Sequence, residues 1–354
     1  MRSAAPRPLG PRSLLVVSLA LLISAAVAQQ PSVNTAAPPS ASNINNAQQA
    51  QQAPAGNDAA QEPAQAPVSP EAGGSDSSMF VFRRQVEEVV LHATVVDDQR
   101  RLVSNLDRGS FTVLNDGKPE TITSFRHEDV PVAMGIVIDN SGSMRDKREK
   151  INQAVMNLIR ASNPKDQIFV VNFGQDSYLD QDFTSDPKLL ETALNQTSAH
   201  GSTALYDAIA ASAKHLEANP VEKKVLLVIT DGQDNMSQET LQEASQQLQQ
   251  ANGPTLYAIG LLGSGLEERG REALKSLADR TGGVAYFPET IDQVDDITRT
   301  VAHDIRNQYL IAYKPKNQNA SPGYKSVKIE AQAAGYGPLT VRTRTGYYPG
   351  ASAH

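Results

Sequence analysis

The sequence predicts an α/β fold: a doubly wound, mostly parallel sheet over about residues 130–306, inserted in or flanked by a β-sandwich-like module. Three observations predict it. Four short, near-continuous apolar runs, VAMGIVI (132–138), QIFVVNF (167–173), KVLLVIT (224–230) and TLYAIGLL (255–262), have the texture of parallel strands covered on both faces. Amphipathic helical patterns alternate with them, which is the order of a sheet wrapped by helices. On either side, at 86–125 and 308–349, period-two alternation takes over.

Taken in chain order, Arg2, Arg7 and Arg12 precede the apolar run LLVVSLALLISAAVA (14–28), which closes on Ala26-Val27-Ala28. A basic region, a short apolar core and a small-x-small site form an export signal, with cleavage expected after Ala28; an uncleaved anchor is the alternative. Loss of the three arginines takes the formal charge from −7 to −10. Residues 29–78 are almost wholly Gln, Ala, Pro, Ser, Asn and Gly, too poor in large apolar groups to offset ordering entropy, and read as a disordered linker. No run reaches the roughly 20 apolar residues of a spanning helix, so no membrane span is expected after cleavage.

Residues 79–129 form an N-terminal β segment. VEEVVLHATVVDD (86–98) reads as a strand, and SFTVLNDGKPETITSF (110–125) as a hairpin turning at Asn115-Asp116-Gly117. Residues 307–349 form a C-terminal β segment, with strands in 308–315, 324–332 and 339–349. Each group alone is small for an independent core. Pairing of 307–349 with 79–129 into one module is therefore expected, with 130–306 inserted between; two separate β appendages are the alternative.

Within the insert, helices fit 148–162, 187–195, 203–216, 238–251, 267–281 and 290–306. Asp186 before Pro187, and Ser237 before a Glu/Gln-rich run, have the form of helix starts. Ligands of such sheets sit beyond the carboxyl ends of the strands. At those ends lie Asp139-Asn140-Ser141-Gly142-Ser143 behind the first strand, Thr203 in a loop that opens a helix, and Asp231-Gly232 behind KKVLLVIT. A few carboxylates among neutral hydroxyls hold a hard divalent cation while leaving charge for an anionic ligand from another molecule. Helix capping by the same residues is the competing reading.

The set DNSGSM, GSTALYDAI and ITDGQDN resembles the metal-ion-dependent adhesion site of von Willebrand factor type A domains, over about 130–306. With YLIAYKP and RTGYYP in the flanks, the chain further resembles the exported bacterial von Willebrand factor A-related proteins best represented in Acidobacteria. The resemblance implies a von Willebrand factor A, Rossmann-like fold. It also implies metal ligation by Asp139, Ser141, Ser143, Thr203 and Asp231, and a vacant position for a partner's carboxylate. Asp207 is read as a helix-face or supporting residue. Mg²⁺ is the expected ion; Mn²⁺ should substitute and Ca²⁺ should fit less well.

Other chemistry finds little support. There is no cysteine, so no disulfide, thiolate site or cysteine nucleophile. The six histidines form no H-x-x-H or H-E-x-x-H pattern, G-x-S-x-G is absent, and the acidic balance argues against a nucleic-acid partner. The expected function is a non-enzymatic, exported module, periplasmic or at the cell surface, that binds a protein ligand offering a carboxylate to the metal. The alternatives are a structural component of an envelope assembly and, third, a metal-dependent hydrolase, which lacks a positioned general base.

Overall fold

The computed structural model describes residues 88–127, 129–195, 201–261, 268–316 and 323–349. The expected export signal, the 29–78 linker and the start of the N-terminal β segment lie outside the described residues. Among the described residues, no helix is long and apolar enough to cross a membrane.

The centre is a six-stranded sheet. Its strands are β5 (Val132–Asp139), β6 (Gln167–Phe173), β7 (Ser177–Thr184), β8 (Lys223–Thr230), β9 (Thr255–Gly260) and β10 (Ala285–Tyr286). The order is β10-β9-β8-β5-β6-β7, parallel throughout except for β7, which runs antiparallel to β6 at the edge. β5 and β8 are wholly buried along their length, as their unbroken apolar runs require.

Alternation within β5 builds a layer on each face. Val132, Met134, Ile136 and Ile138 enter a core shared with α1 (Arg148–Arg160), α2 (Pro187–Asn195) and α6 (Val294–Arg306). Ala133 and Val137 face the other core, with α3 (Leu205–Glu217), α4 (Leu241–Leu248) and α5 (Glu268–Thr281). A doubly wound α/β sheet is thus observed. α2 begins with proline at its first position, and Asp186 accepts the Lys188 amide (2.9 Å). α4 starts later than Ser237: Thr240 is its cap, in a reciprocal capping box with Glu243. Edge strand β7 answers to no pattern read above.

The flanks hold two further four-stranded sheets. One is ordered β13-β1-β11-β4 and the other β14-β12-β2-β3. β1 (Val89–Val96) and β4 (Ile122–Arg126) each pair antiparallel with β11 (Tyr309–Tyr313), and β1 also pairs with β13 (Thr340–Arg342). β2 (Phe111–Asn115) pairs with β3 (Lys118–Glu120) and with β12 (Lys325–Ala331), which in turn pairs with β14 (Gly346–Tyr347). The β2–β3 turn is the two-residue Asp116-Gly117, both at positive φ (47° and 74°), matching the twist of a tight hairpin. Leu91, Val113, Ile311, Tyr313 and Ile329 share one core across the two sheets.

This module meets the α/β layers at the amino ends of the central strands. The Arg344 guanidinium, 6% exposed, donates to the carbonyls of Ala251 (2.7 Å) and Leu248 (3.2 Å), so its charge rests at the carboxyl end of α4. Arg344 and His92 border one small cavity there, with Glu222, Thr255 and Thr281. Desolvation, then Lys223 and Arg344, holds the His92 pKa down to about 3.

The unfolded imidazole titrates near 6.5, so below that pH the unfolded chain binds a proton the folded chain refuses. Stability should therefore fall with pH, by about 1.4 kcal/mol from this group at roughly pH 5.5 relative to pH 8. Urea unfolding of wild type and His92→Gln across this range checks it: the difference between them should shrink or reverse as pH falls. Parallel curves would exclude the effect.

Candidate functional site

The candidate site forms where the sheet changes winding direction. From β5 the chain proceeds outward to β6 and β7, then returns to the other side of β5 as β8, leaving a crevice beyond the carboxyl ends of β5 and β8. Asp139 ends β5 and is fully buried. Asp231 follows β8 directly, its side chain 1% exposed.

Hydrogen bonds tie the three loops together. The Ser141 amide donates to Asp139 Oδ1 (2.8 Å), and the Thr230 hydroxyl donates to Asp139 Oδ2 (2.6 Å). Ser141 Oγ and Ser143 Oγ lie 3.1 Å apart, and Ser143 Oγ donates to Asp231 Oδ1 (2.8 Å). Lys147 Nζ is hydrogen-bonded to the other oxygen of Asp231. A Cβ on Gly232 would stand 3.3 Å from Thr203 Oγ1 and 3.8 Å from Asp139 Oδ2, so this glycine keeps space open beside both groups. The structure thus brings Asp139, Ser141, Ser143, Thr203 and Asp231 into one crevice.

Capping does not account for the hydroxyls. Ser141 precedes a single 3₁₀ turn (Gly142–Met144) and makes no side-chain cap. α1 is capped by neither serine, since Lys147 occupies that position. α3 begins after Ala204, and its first amides are satisfied from another loop. Asp234 accepts from Tyr206 N (3.0 Å), and Ser237 Oγ accepts from Tyr206 N (3.0 Å) and Asp207 N (3.1 Å). Asn235 and Thr203 lock the two loops by a reciprocal pair: Thr203 N donates to Asn235 Oδ1 and Asn235 N to Thr203 O, each 3.0 Å. Asp207 accepts the amides of Gln238 (3.0 Å) and Glu239 (2.8 Å), bracing the same loop from the helix. Gly142 has neither a positive φ nor a neighbour a Cβ would touch, so no backbone demand requires glycine there.

The donor set fits a small hard cation. Oxygens on adjacent corners of an octahedron with bonds near 2.1 Å stand about 3 Å apart, the spacing of the two serine hydroxyls. Ser143 spends its proton on Asp231, so its oxygen faces the crevice as an acceptor with a lone pair for a cation. Burial raises the Asp139 carboxyl above its usual range and Asp231 adds to this, while the bonds from Thr230 and Ser141 oppose it. Among the described residues, no group of three or more His, Cys, Asp or Glu is placed to hold a metal. Any hard-cation site in this crevice is therefore a hydroxyl site with two carboxylates.

Sequence reasoning missed Thr230, Lys147, Asp234 and Asn235. The DGQDN run carries the last two in plain view, but nothing local says which helix they serve.

Residues 134–233 match the family model of the von Willebrand factor type A domain. No curated protein matches the sequence. Similar solved structures include proximal thread matrix protein 1 from the mussel byssus, at 18% identity over 54% of this chain and 51% of that one (TM-score 0.45). This chain thus covers about half the length of the mussel protein. Others are BatB from Bacteroides thetaiotaomicron, at 18% identity over 49% and 97% (TM-score 0.40), and a von Willebrand factor type A protein from Catenulispora acidiphila, at 14% over 76% and 75% (TM-score 0.44). The match reaches the domain family and not the narrower exported group. By that match and the fold that carries it, the α/β part of this chain is a von Willebrand factor type A domain.

Proposed function

We propose that the chain is an exported, non-enzymatic protein-binding module that recognises an acidic group on a partner through a divalent metal. Asp139, Ser141, Ser143, Thr203 and Asp231 would hold the ion, with Mg²⁺ the first choice for so small an oxygen site. When bound, the ion would supply a coordination position that these five residues leave to a carboxylate from outside. The observation that carries the reading is the convergence of three hydroxyls, none used as a helix cap, on two buried carboxylates at one strand edge. The loops are braced by Asn235, Asp234 and Asp207, so the site is built before a ligand arrives.

Asp139→Ala tests this. Wild type should bind Mg²⁺ by calorimetry with modest affinity, and the variant should lose about tenfold or more. Capture of a partner from envelope extract should require Mg²⁺, and Asp139→Ala should abolish it. Metal and partner should raise each other's affinity by one common factor. A variant that keeps its partner and only loosens locally would favour a structural metal in an envelope assembly. Equal capture in chelator and in Mg²⁺ would leave the adhesion reading without support.

A further inference from the structure

We infer that Lys147 is a tethered cation that occupies Asp231 when no metal is bound and must withdraw for metal to bind. This rests on the metal-site reading above and adds to it an internal competitor.

The geometry is specific. Lys147 stands at the cap position of α1, four residues beyond Ser143, just past the 3₁₀ turn that follows Ser141. Its backbone is anchored: Lys147 N donates to Met144 O (3.0 Å), and Lys147 O accepts from Ile151 N (3.1 Å). Its ammonium crosses to a carboxylate 84 residues further along the chain. Both oxygens of Asp231 are then engaged, one by Ser143 and the other by Lys147. The two partners differ in freedom: the Asp231 side chain is 1% exposed, whereas the Lys147 side chain is 34% exposed. A flexible four-carbon stem open to solvent lets the lysine leave without disturbing the fold.

Repulsion between like charges gives the same answer. Lys147 holds a positive charge on Asp231, and the buried Arg148 stands close by. Arg148 donates to Leu194 O (3.4 Å) inside the core and lies near Asp180 and Asp139, so it stays in place. A divalent ion arriving with Lys147 seated would meet a like charge already holding one oxygen of Asp231. With Lys147 withdrawn, that repulsion is gone and the oxygen is open to the ion.

The test uses the full chain with Mg²⁺ as the probe. Calorimetry should show Lys147→Met binding Mg²⁺ roughly tenfold or more tightly than wild type, because the displaced charge-assisted bond no longer opposes loading. Lys147→Arg keeps the cation and should bind no more tightly than wild type. In chelator, Lys147→Met should melt below wild type because Asp231 loses its counter-charge, and Mg²⁺ should raise its melting temperature by the larger increment. In wild type, the acylation rate of Lys147, read by peptide mapping, should rise several-fold when Mg²⁺ is added. Mg²⁺ binding by wild type with an equal or weaker affinity in Lys147→Met overturns the competitor role and leaves the metal site standing. An acylation rate indifferent to Mg²⁺ overturns it too, whether or not the variant folds. No Mg²⁺ binding by either protein overturns both readings, whereas binding by Lys147→Met alone supports both.

Discussion

Gly283→Ala should lower the free energy of unfolding by about 3 kcal/mol or more, measured by urea denaturation. α5 ends in a Schellman motif. Gly282 adopts φ 84°, its amide donates to Asp279 O (3.3 Å), and the Gly283 amide donates to Ala278 O (3.0 Å). The chain then passes directly against β9. A Cβ on Gly283 would lie 1.9 Å from the backbone oxygen of Leu256 and 2.7 Å from its carbonyl carbon. Neither atom belongs to a flexible side chain, and Leu256 is held in the ladder opposite Leu226. Relief must come from parting α5 and β9 or from breaking the cap. Gly142→Ala, whose Cβ meets nothing within 4 Å, is the control and should change stability by under about 0.5 kcal/mol. A Gly283→Ala protein as stable as that control would mean the two backbones part at no cost.

Asp304→Ala should cost about 3–5 kcal/mol, the range for removing one partner of a buried pair. Asp304, 2% exposed on α6, accepts from Arg342 Nη2 (2.9 Å) and from the Tyr257 hydroxyl (2.8 Å). The Tyr257 hydroxyl in turn accepts from Gln308 Nε2 (3.2 Å). Burial, and then Asp304 itself, pushes the Tyr257 phenol well above its usual range, so it remains a neutral donor to this carboxylate. One carboxylate thus links helix α6, central strand β9 and flank strand β13. Its loss strands a guanidinium and a buried hydroxyl together. Arg342→Met added to Asp304→Ala should restore part of the loss, because the orphaned charge goes too. Asp296→Ala on the same helix, with its side chain 82% exposed, should change stability by under about 0.5 kcal/mol. If Asp304→Ala matched Asp296→Ala, the network would contribute nothing to the joint between module and domain.

The fold class was legible because burial on both faces leaves a local trace. The interiors of β5 (132–138) and β8 (225–229) are apolar throughout, and both read as unbroken runs; the polar residues lie at the strand ends. The β2–β3 turn was legible for a similarly local reason, since Asp-Gly suits the positive φ of both central residues. β7 left no trace. Its eight residues, SYLDQDFT, are exposed or half-covered, and its strand state comes from pairing with β6 through two register shifts. Ser237 misled for a related reason. A serine before a Glu/Gln-rich run reads as the start of its own helix, but its hydroxyl serves the amides of α3, some 30 residues earlier.

The candidate site divides along the same line. Sequence alone determined which residues end the strands and open the loops, because Asp139, Ser141, Ser143, Thr203 and Asp231 each adjoin a strand or helix with its own periodic signal. Their chemistry, oxygen donors with few carboxylates, is a property of residue type and needs no coordinates. Only the tertiary structure decided that Thr230 holds Asp139, that Asn235 locks Thr203, and that Lys147 sits on Asp231. It also decided that β1 and β11, more than 200 residues apart, are neighbours. Periodicity records how one element meets solvent and core. A partner brought in by chain reversal is chosen by the packing of the whole sheet, and no residue nearby in sequence carries its name.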